Sequence, residues 1–595
     1  MSPDQQVYEF DGFRVDALRR ILQRDGATIA LTPKVFDTLL YLVRNAGDVI
    51  DKEELMRAVW PDTAVEENNL SQNISVLRRV LGQTQSEKRY ILTVPGKGFR
   101  FVAEVRGPAA ARAAKTPSPA LRVEEAAAPV KLAVLPFENL SADPEREYLA
   151  DGLTEETIAA LGQIGSNRLS VIGRTTMKAY KGTSKSLAEI GRETGATYLI
   201  ESSLRAEGGR LRITSKLIRA NDQIQIWSAS YDSEPASMLV FQRELSGVIA
   251  AQIHLRLSPE RITALEKRQT RSPEAYDLYL RGRHYWNQLT PATTRRAVEY
   301  FTQATETDAK YALAWSGLSD CYTASPVNGD APPQMVWPKA REATANAVSA
   351  EADLAEVQTS LGSLKFWLDW DWPEAIAAYR RAVALDPGYP LGHRMLGIVL
   401  SHSGQHAEAR EEIRRAREID PLLAVHQALS AQVAFAAREY DEAIQFARQS
   451  IAVDPEFWIG HLQLAQVTAQ IGESETALQA LQEAGRASGG NSKVLSLRAY
   501  VFARLGREHE AREILKTLEA ISRERYVPPY AMALAHAGLE EREEALTWLE
   551  RCYEARDVHL IFPAVDPKWD SFRAEPRFLA TLKRCGFPSL GLRIS

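Results

Sequence analysis

The sequence predicts a multidomain α+β protein in which two mixed domains precede a long helical array. Alanines that recur every 34 residues predict the array: Ala375, Ala409, Ala443, Ala477, Ala511 and Ala545. Residues 107–129 are rich in Ala and Pro and lack an apolar period, which is typical of a linker. Between 130 and 259, strand-like and helix-like runs alternate. We therefore expect domains over 1–106, 130–259 and 270–595.

The composition is that of a globular protein and excludes several classes. With 45% hydrophobic residues, 25% charged residues and a net charge of -5, the bulk charge does not indicate nucleic acid. Cys321, Cys552 and Cys585 are far apart and form no CxxC pair, so neither a disulfide framework nor a zinc site is predicted. The start of the chain does not resemble a leader, and no apolar run approaches the roughly 18 to 20 residues that span a bilayer. We expect a cytoplasmic protein.

The amino-terminal domain begins with short β-type runs over 7–31, and three helices and a hairpin follow. Thr32 offers a capping hydroxyl and Pro33 suits a first helical position, so the first helix is predicted to begin there. A second helix is predicted from Asp51. Two β-type runs, 90–94 and 99–102, flank a Pro-Gly-Lys-Gly turn and predict a closing hairpin.

The third helix, predicted from Asn69 to Leu81, is the candidate DNA reader of this domain. Leu70, Ile74, Leu77 and Leu81 recur at helical spacing and predict one buried stripe. The remaining faces carry hydrogen-bonding, small apolar and cationic groups, which suit a major groove. From 68 to 100 there are six Lys and Arg residues and one Glu, so a local positive surface is expected. An ordinary solvated face is the alternative interpretation.

Several motifs of this domain resemble the OmpR/PhoB-type effector domain, a winged helix-turn-helix, over residues 7–105. They are Leu31-Thr32, Asp51-Lys52-Glu53-Glu54-Leu55, Val59-Trp60, Asn69-Leu70, Ile74-Ser75, Leu77-Arg78-Arg79 and the run from Thr93 to Phe101. The resemblance implies base reading by Gln72, Ser75 and Val76, and phosphate contacts by Trp60, Asn73, Arg78, Thr93 and Lys97. The full predicted DNA-binding set is Trp60, Asn69, Ser71, Gln72, Asn73, Ser75, Val76, Arg78, Arg79, Thr93, Lys97 and Arg100. Val76 and Pro95 depart from the cations that many members carry.

The middle region predicts an α/β sandwich without a catalytic site. Its motifs at 135–137, 151–154 and 180–184 resemble the TolB-amino-domain-like module that accompanies regulators. The segment 182–186 has phosphate-loop residue types but not the GxxxxGK[ST] spacing, so nucleotide binding is disfavoured. Asp151, Glu155 and Glu156 could form a carboxylate cluster, but we favour acidic residues near a helix start that complement its dipole.

The helical array resembles the tetratricopeptide repeat family over about residues 274–556, with about eight repeats and a terminal cap from Pro567 to Leu582. Pro387, Pro421 and Pro455 repeat at the same separation of 34 and end their helices. In such arrays the first helices build a concave surface. The resemblance implies partner binding by Arg394, Ile398, His402, Gln432, Gln466, Gln470 and Tyr500. No HExxH or comparable spacing predicts a metal site.

The sequence therefore predicts a winged helix-turn-helix, an α/β sandwich and an all-α tetratricopeptide solenoid. The first interpretation is a one-component, bacterial-type transcriptional regulator that binds double-stranded DNA, takes a protein or peptide partner on its repeats and oligomerises on DNA. The alternative is a repeat scaffold or adaptor whose winged helix makes weak or non-DNA contacts. No catalytic constellation is recognised, so neither an enzyme nor a cofactor is predicted.

Overall fold

The computed structural model describes most of residues 7–105, 130–233 and 270–587, together with residues 245, 247–249 and 252. The gaps within these ranges are 18, 25–26, 30, 48, 60–66, 82–89, 95–97, 104, 142, 144–145, 165–168, 208–209, 289 and 330. The predicted linker lies outside the described residues, as does most of the helix that the sequence suggests over 237–257. The chain forms two compact units, residues 1–124 and 125–595.

The first unit contains two antiparallel sheets around three helices. Strands β1 (Val7–Phe10), β2 (Phe13–Asp16), β3 (Ile21–Arg24) and β4 (Ala27–Ile29) pair in sequence order. Helices α1 (Pro33–Arg44), α2 (Lys52–Val59) and α3 (Glu67–Val80) follow. Strand β5 (Val49–Asp51) pairs with β7 (Gly98–Phe101), which pairs with β6 (Ile91–Val94). The winged helix-turn-helix order predicted from the sequence is confirmed.

Two local expectations for this unit need correction. Thr32 is the N-cap of α1, but its side chain makes no capping hydrogen bond. A third strand, β5, pairs with β7 of the hairpin, and the sequence did not predict this strand. Gly98 permits this pairing, because its φ is 147° and an added Cβ would lie 2.0 Å from the carbonyl oxygen of Ile50. The aromatic rings of Phe10 and Phe101, 4.9 Å apart, join the two sheets in one core.

The second unit begins with a mixed sheet between helices, as the sequence predicts. Its main strands are β8 (Val130–Val134), β10 (Leu169–Val171), β11 (Tyr198–Glu207), β12 (Arg210–Arg219) and β13 (Gln225–Ser233), and the short β9 (Glu138–Asn139) pairs with β11. The sheet order is β10-β8-β11-β12-β13, parallel around β8 and antiparallel beyond β11. Helix α4 (Glu147–Ile164) shares the core of one face. Met177 of α5 (Arg174–Lys178) and Ile190 of α6 (Leu187–Thr194) belong to the core of the other face.

Eight consecutive helix pairs follow in the described part of 270–587. The pairs are α7 (Pro273–Trp286) with α8 (Pro291–Thr307), α9 (Ala312–Asn328) with α10 (Pro333–Ala350), α11 (Ala355–Ser363) with α12 (Trp372–Leu385), α13 (Pro390–His402) with α14 (His406–Ile419), α15 (Ala424–Ala436) with α16 (Tyr440–Val453), α17 (Trp458–Gln470) with α18 (Ser474–Ala487), α19 (Ser492–Arg504) with α20 (Glu508–Ser522) and α21 (Pro529–Gly538) with α22 (Arg542–Glu554). All six periodic alanines are fully buried, because only a small side chain fits where paired helices approach closely.

A carboxy-terminal segment returns to the array after the eighth pair. It contains 3₁₀ turns at Val558–Ile561 and Pro567–Phe572 and ends with α23 (Pro576–Arg584). The predicted single capping helix is therefore two shorter elements. The indole nitrogen of Trp372 donates to the carbonyl oxygen of Cys585 at 2.9 Å. This contact ties the residue after α23 to the third repeat.

The array also closes between its second and seventh repeats. The side-chain amide of Asn491, before α19, donates to the carbonyl oxygen of Asn328 at 3.1 Å. A ring nitrogen of His559 lies 3.3 Å from the carbonyl oxygen of Val327. The repeats thus curve far enough for early and late helices to meet and enclose an interior space. None of the helices in the described ranges combines the length and apolar character that a bilayer crossing requires.

Candidate nucleic-acid interface and repeat surface

Helix α3 has one buried stripe and one exposed face, as its sequence predicts. Leu70, Ile74 and Leu77 are at most 1% exposed and belong to the core of the first unit. Ser75, Val76 and Arg79 lie on the exposed side of the helix. Val76 is 37% exposed, so this face also carries an apolar group. The exposed face can therefore offer polar, apolar and cationic groups to a groove.

Two side chains of α3 hold the helix in place. The amide nitrogen of Asn73 donates to the hydroxyl of Thr38 on α1 at 3.1 Å. The guanidinium of Arg78 donates to the carbonyl oxygen of Ile91 at 3.1 Å and to the hydroxyl of Thr93 at 2.6 Å, both on β6. Partial burial lowers the pKa of Arg78. These contacts fix the orientation of α3 relative to both α1 and the hairpin.

The remaining predicted DNA-binding residues fall into two groups. Trp60 and Lys97 lie outside the described residues, and the side chains of Asn69, Ser71 and Gln72 are not described either. Arg100 is half-buried on β7, and its Nε has no hydrogen-bond partner among the described residues. The structure thus brings Ser75, Val76 and Arg79 together on one face. Sequence reasoning did not foresee that Asn73, Arg78 and Thr93 join elements of the domain to one another.

The seven predicted partner-binding residues all lie on first helices of their repeats, but they do not form one open surface. Arg394, His402, Gln432 and Gln466 border a single interior cavity. Ile398 is 2% exposed and belongs to the core. Tyr500 is half-buried against Gly538, where an added Cβ would lie 2.6 Å from the Cα of Tyr500. Of these seven side chains, only that of Gln470 is exposed.

The carboxy-terminal segment occupies part of the surface formed by the first helices. The ammonium group of Lys568 donates to the side-chain oxygen of Gln466 at 3.0 Å, and the ring of Phe562 lies 5.3 Å from that of His402. Arg438 donates to the carbonyl oxygen of Val565 at 2.7 Å and to Asp570 at 2.8 Å. Residues that the sequence assigned to a partner are therefore engaged by the chain itself. No local sequence pattern signals these contacts, because they join residues about 100 or more positions apart.

Glu155 of α4 is an ion-pair partner of arginines from two other elements. Glu155 is bonded by Arg283 of α7, whose Nε lies 2.9 Å away, and by Asn287 at 2.6 Å, while Arg174 lies 3.5 Å away. Burial alone would raise the pKa of Glu155, but these arginines outweigh it and hold that pKa below its usual value. The helix begins at Glu147, so Glu155 lies well inside it. The structural interpretation stands, but ion pairing across α4 and α7 is its physical cause and not the helix dipole.

A second contact joins the sandwich to the repeats at Asp420. This carboxylate follows α14 and accepts hydrogen bonds from the Thr176 amide at 2.8 Å and the Thr176 hydroxyl at 2.7 Å. The Gly173 amide donates to the carbonyl oxygen of Ile419 at 2.7 Å, and an added Cβ on Gly173 would lie 2.4 Å from Asp420. The Asp-Pro motif that ends a repeat in the sequence thus also docks the α/β domain.

Four family models match the chain, in the order that the fold suggests. Residues 26–101 match the C-terminal domain of transcriptional regulatory proteins. Residues 128–247 match the second domain of HilA/YgeH-like transcriptional regulators, which does not confirm the TolB-like resemblance. Residues 370–433 and 422–561 match tetratricopeptide repeats. The first unit is thus an OmpR/PhoB-type DNA-binding domain, and the helical array is a tetratricopeptide repeat array.

Three curated relatives share parts of the chain. The transcriptional regulator HilA of Salmonella typhimurium is 24% identical over 70% of this chain and 71% of its own length. The transcriptional regulatory protein KdpE of Mycobacterium tuberculosis is 38% identical over 17% of this chain and 45% of its own length. A putative adenylate cyclase 3 of Rhizobium meliloti is 33% identical over 32% of this chain and 32% of its own length. The chain therefore spans less than half of the last two relatives.

Proposed function

We propose that this chain is a sequence-specific DNA-binding transcriptional regulator of the one-component type. The observation that supports this proposal most directly is the exposed face of α3 with Ser75, Val76 and Arg79, on a helix whose opposite stripe is buried. A groove-binding helix must be held rigidly while one face stays open. Asn73 and Arg78 fix α3 through hydrogen bonds to α1 and β6. Gln72, three residues before Ser75, extends this set in sequence.

Within this proposal the predicted residues have three roles. Gln72, Ser75 and Val76 contact base edges, while Trp60, Asn69, Ser71, Arg79, Lys97 and Arg100 contact the sugar-phosphate backbone or flanking groups. Asn73, Arg78 and Thr93 position α3 and the hairpin, and the unused donors of Arg78 remain free to approach a phosphate. A single winged helix reads a short half-site, so paired copies of the chain on tandem sites supply the specificity. The site of action is the bacterial chromosome in the cytoplasm.

The repeats and the α/β domain supply the input to this regulator. Tetratricopeptide arrays take peptide segments on their concave surface, and Gln432, Gln470 and Tyr500 lie on first helices. Because the carboxy-terminal segment lies against Gln466 and His402, a protein partner on that surface would displace this segment. The proposal assigns the chain no catalytic step.

The test is selection of genomic DNA fragments by the full-length chain, followed by gel shifts at two salt concentrations. A regulator retains a defined set of fragments, and its affinity falls steeply with salt because phosphate contacts release counterions. Ser75→Ala should relax preference at one base position, whereas Arg14→Ala, which changes an exposed side chain on β2 of the other sheet, should change nothing. Absence of any selective retention at either salt concentration would favour the scaffold alternative.

A further inference from the structure

The α/β domain, the repeats and the carboxy-terminal segment enclose a cavity of about 770 Å³. Its walls include residues of α4, of the first helices of all eight described repeats and of the segment after α22. This volume lies within the range of roughly 300 to 1,000 Å³ that small-molecule sites occupy. Much of the lining is aromatic, including Trp286, Trp367, Trp458 and Phe435. A ligand that fills the cavity therefore needs an apolar body.

Most charged groups on the cavity wall are already compensated within the chain. Glu155 pairs with Arg283, Lys568 pairs with Asp566 at 2.7 Å, and Asp420 accepts hydrogen bonds from Thr176. Arg525 donates to the carbonyl oxygen of Gly490 at 3.2 Å. These internal partners explain why the cavity wall can carry these charged groups without a ligand.

Arg394 and His426 are two basic groups on the wall whose buried nitrogen atoms lack partners in the described part of the chain. Arg394, on α13, makes no ion pair or hydrogen bond through its side chain to any residue that the structure describes, and its Nε is buried without a partner. His426, on α15, is 0% exposed, and both its ring nitrogens lack a hydrogen-bond partner in the same described ranges. Both residues border the cavity. Unpartnered buried polar atoms destabilise a folded protein, so such groups normally have a hydrogen-bond partner.

The electrostatics of the two side chains agree with this geometry. Burial lowers the pKa of Arg394 to about 10, which leaves it charged at neutral pH. Burial, and then the charge of Arg394, hold the pKa of His426 well below its usual range. A neutral imidazole offers one N–H donor, and the guanidinium offers a fork of donors, which together match the two oxygens of a carboxylate.

We propose that this cavity binds a small organic carboxylate with an apolar body, held by Arg394 and His426. A monoanion fits better than a phosphate dianion, because Asp320, Glu356 and Asp386 also border the cavity. The aromatic walls accommodate the apolar body of the ligand and exclude water from the ion pair. This site adds a small-molecule input to the proposed regulator, and its existence does not depend on DNA binding.

Isothermal titration of the full-length chain with 3-phenylpropionate, 3-phenylpropanamide and inorganic phosphate tests the proposal. We expect one carboxylate per chain, with the neutral amide and phosphate each at least tenfold weaker. Arg394→Met should weaken 3-phenylpropionate at least tenfold, and His426→Leu should weaken it severalfold. Arg380→Met is the matched control, because Arg380 is exposed and pairs with Glu408. The control should bind as the wild type does.

Three results would overturn the assignment. The first is no heat with 3-phenylpropionate at millimolar concentration. The second is equal affinity of the wild-type chain for 3-phenylpropionate and 3-phenylpropanamide, which would show that the carboxylate is not recognised. This comparison needs only the wild-type chain, so it holds even if both variants fail to fold. The third is binding of phosphate in preference to the acid. The DNA gel shift is a separate measurement, so failure of this site and failure of the proposed regulator are distinguishable.

Discussion

The exposed face of α3 and the inner surface of the repeats are both candidate recognition surfaces, yet they are built in opposite ways. On α3, the anchoring contacts of Asn73 and Arg78 leave Ser75, Val76 and Arg79 exposed. On the repeats, Gln466 and His402 are contacted by the chain's own carboxy-terminal segment. The face of α3 where we propose that DNA binds is therefore open within the first unit, whereas the repeat surface must first exchange an internal partner.

The charged residues of α3 and of the second unit show the same contrast between an exposed group and groups with internal partners. Arg79 on α3 is exposed and free to meet a phosphate without losing an internal ion pair in the described part of the first unit. Glu155, Arg283 and Lys568 lie inside the second unit and are paired. Substitutions at the first kind of residue should alter binding with little loss of stability. Substitutions at the second kind should alter stability first.

The largest effect is expected for Glu155→Ala. This change leaves Arg283 and Arg174 buried without their carboxylate, and an uncompensated buried charge costs about 3 to 5 kcal/mol. Denaturant unfolding followed by tryptophan fluorescence measures the loss for the second unit. Glu408→Ala, which removes an exposed partner of Arg380, is the control and should cost about 0 to 1 kcal/mol. Equal losses for the two variants would contradict the internal role of Glu155.

Acidification should destabilise the second unit through His402. Burial lowers the pKa of His402 to about 4 from 6.5, so the unfolded chain binds its proton first as the pH falls. Stability is therefore complete above pH 6.5 and is lost between pH 6.5 and 4, by up to about 3 kcal/mol for this residue. His402→Phe keeps the ring beside Phe366 and Phe562 but cannot titrate.

The variant should lose less stability on acidification than the wild type over this window. The comparison uses the change in unfolding free energy between pH 7 and pH 4.5, so a constant cost of losing the bond to the carbonyl oxygen of Ile398 cancels. An unchanged acid loss in the variant would show that His402 is not the titrating group.

Arg79→Ala and Arg78→Ala should separate binding from positioning on α3. Removing one phosphate contact at Arg79 should lower the slope of log affinity against log salt by about one, at unchanged stability. Arg78→Ala removes the bonds to Ile91 and Thr93, so it should cost the first unit about 1 to 3 kcal/mol and weaken DNA binding as well. Gel shifts and thermal unfolding of the full-length variants check both. Identical behaviour of the two variants would contradict the division of roles.

Local patterns predicted the elements well, while contacts between distant residues were missed. The stripe of Leu70, Ile74 and Leu77 specified the buried side of α3, and the 34-residue alanine period specified the repeats, because both depend on neighbours within two helices. The docking of Asp420 on Thr176 and the return of Lys568 to Gln466 depend on how far the repeats curve. That curvature is a sum of small rotations between repeats, which no single motif encodes. The candidate site on α3 was therefore predicted, and the closed interior was not.

The smallest effect, and the most direct test of the contrast, concerns Arg438. Arg438→Ala removes bonds to Val565 and Asp570 that hold the carboxy-terminal segment on the repeats, at a cost of about 1 kcal/mol. Hydrogen exchange of residues 562–573 should accelerate, because the segment opens more often. Arg486→Ala, which removes exposed pairs with Glu456 and Glu483, should leave that exchange unchanged. If neither variant changes the exchange of residues 562–573, the carboxy-terminal segment is a fixed part of the core. A partner for the repeats must then bind outside the surface that this segment covers.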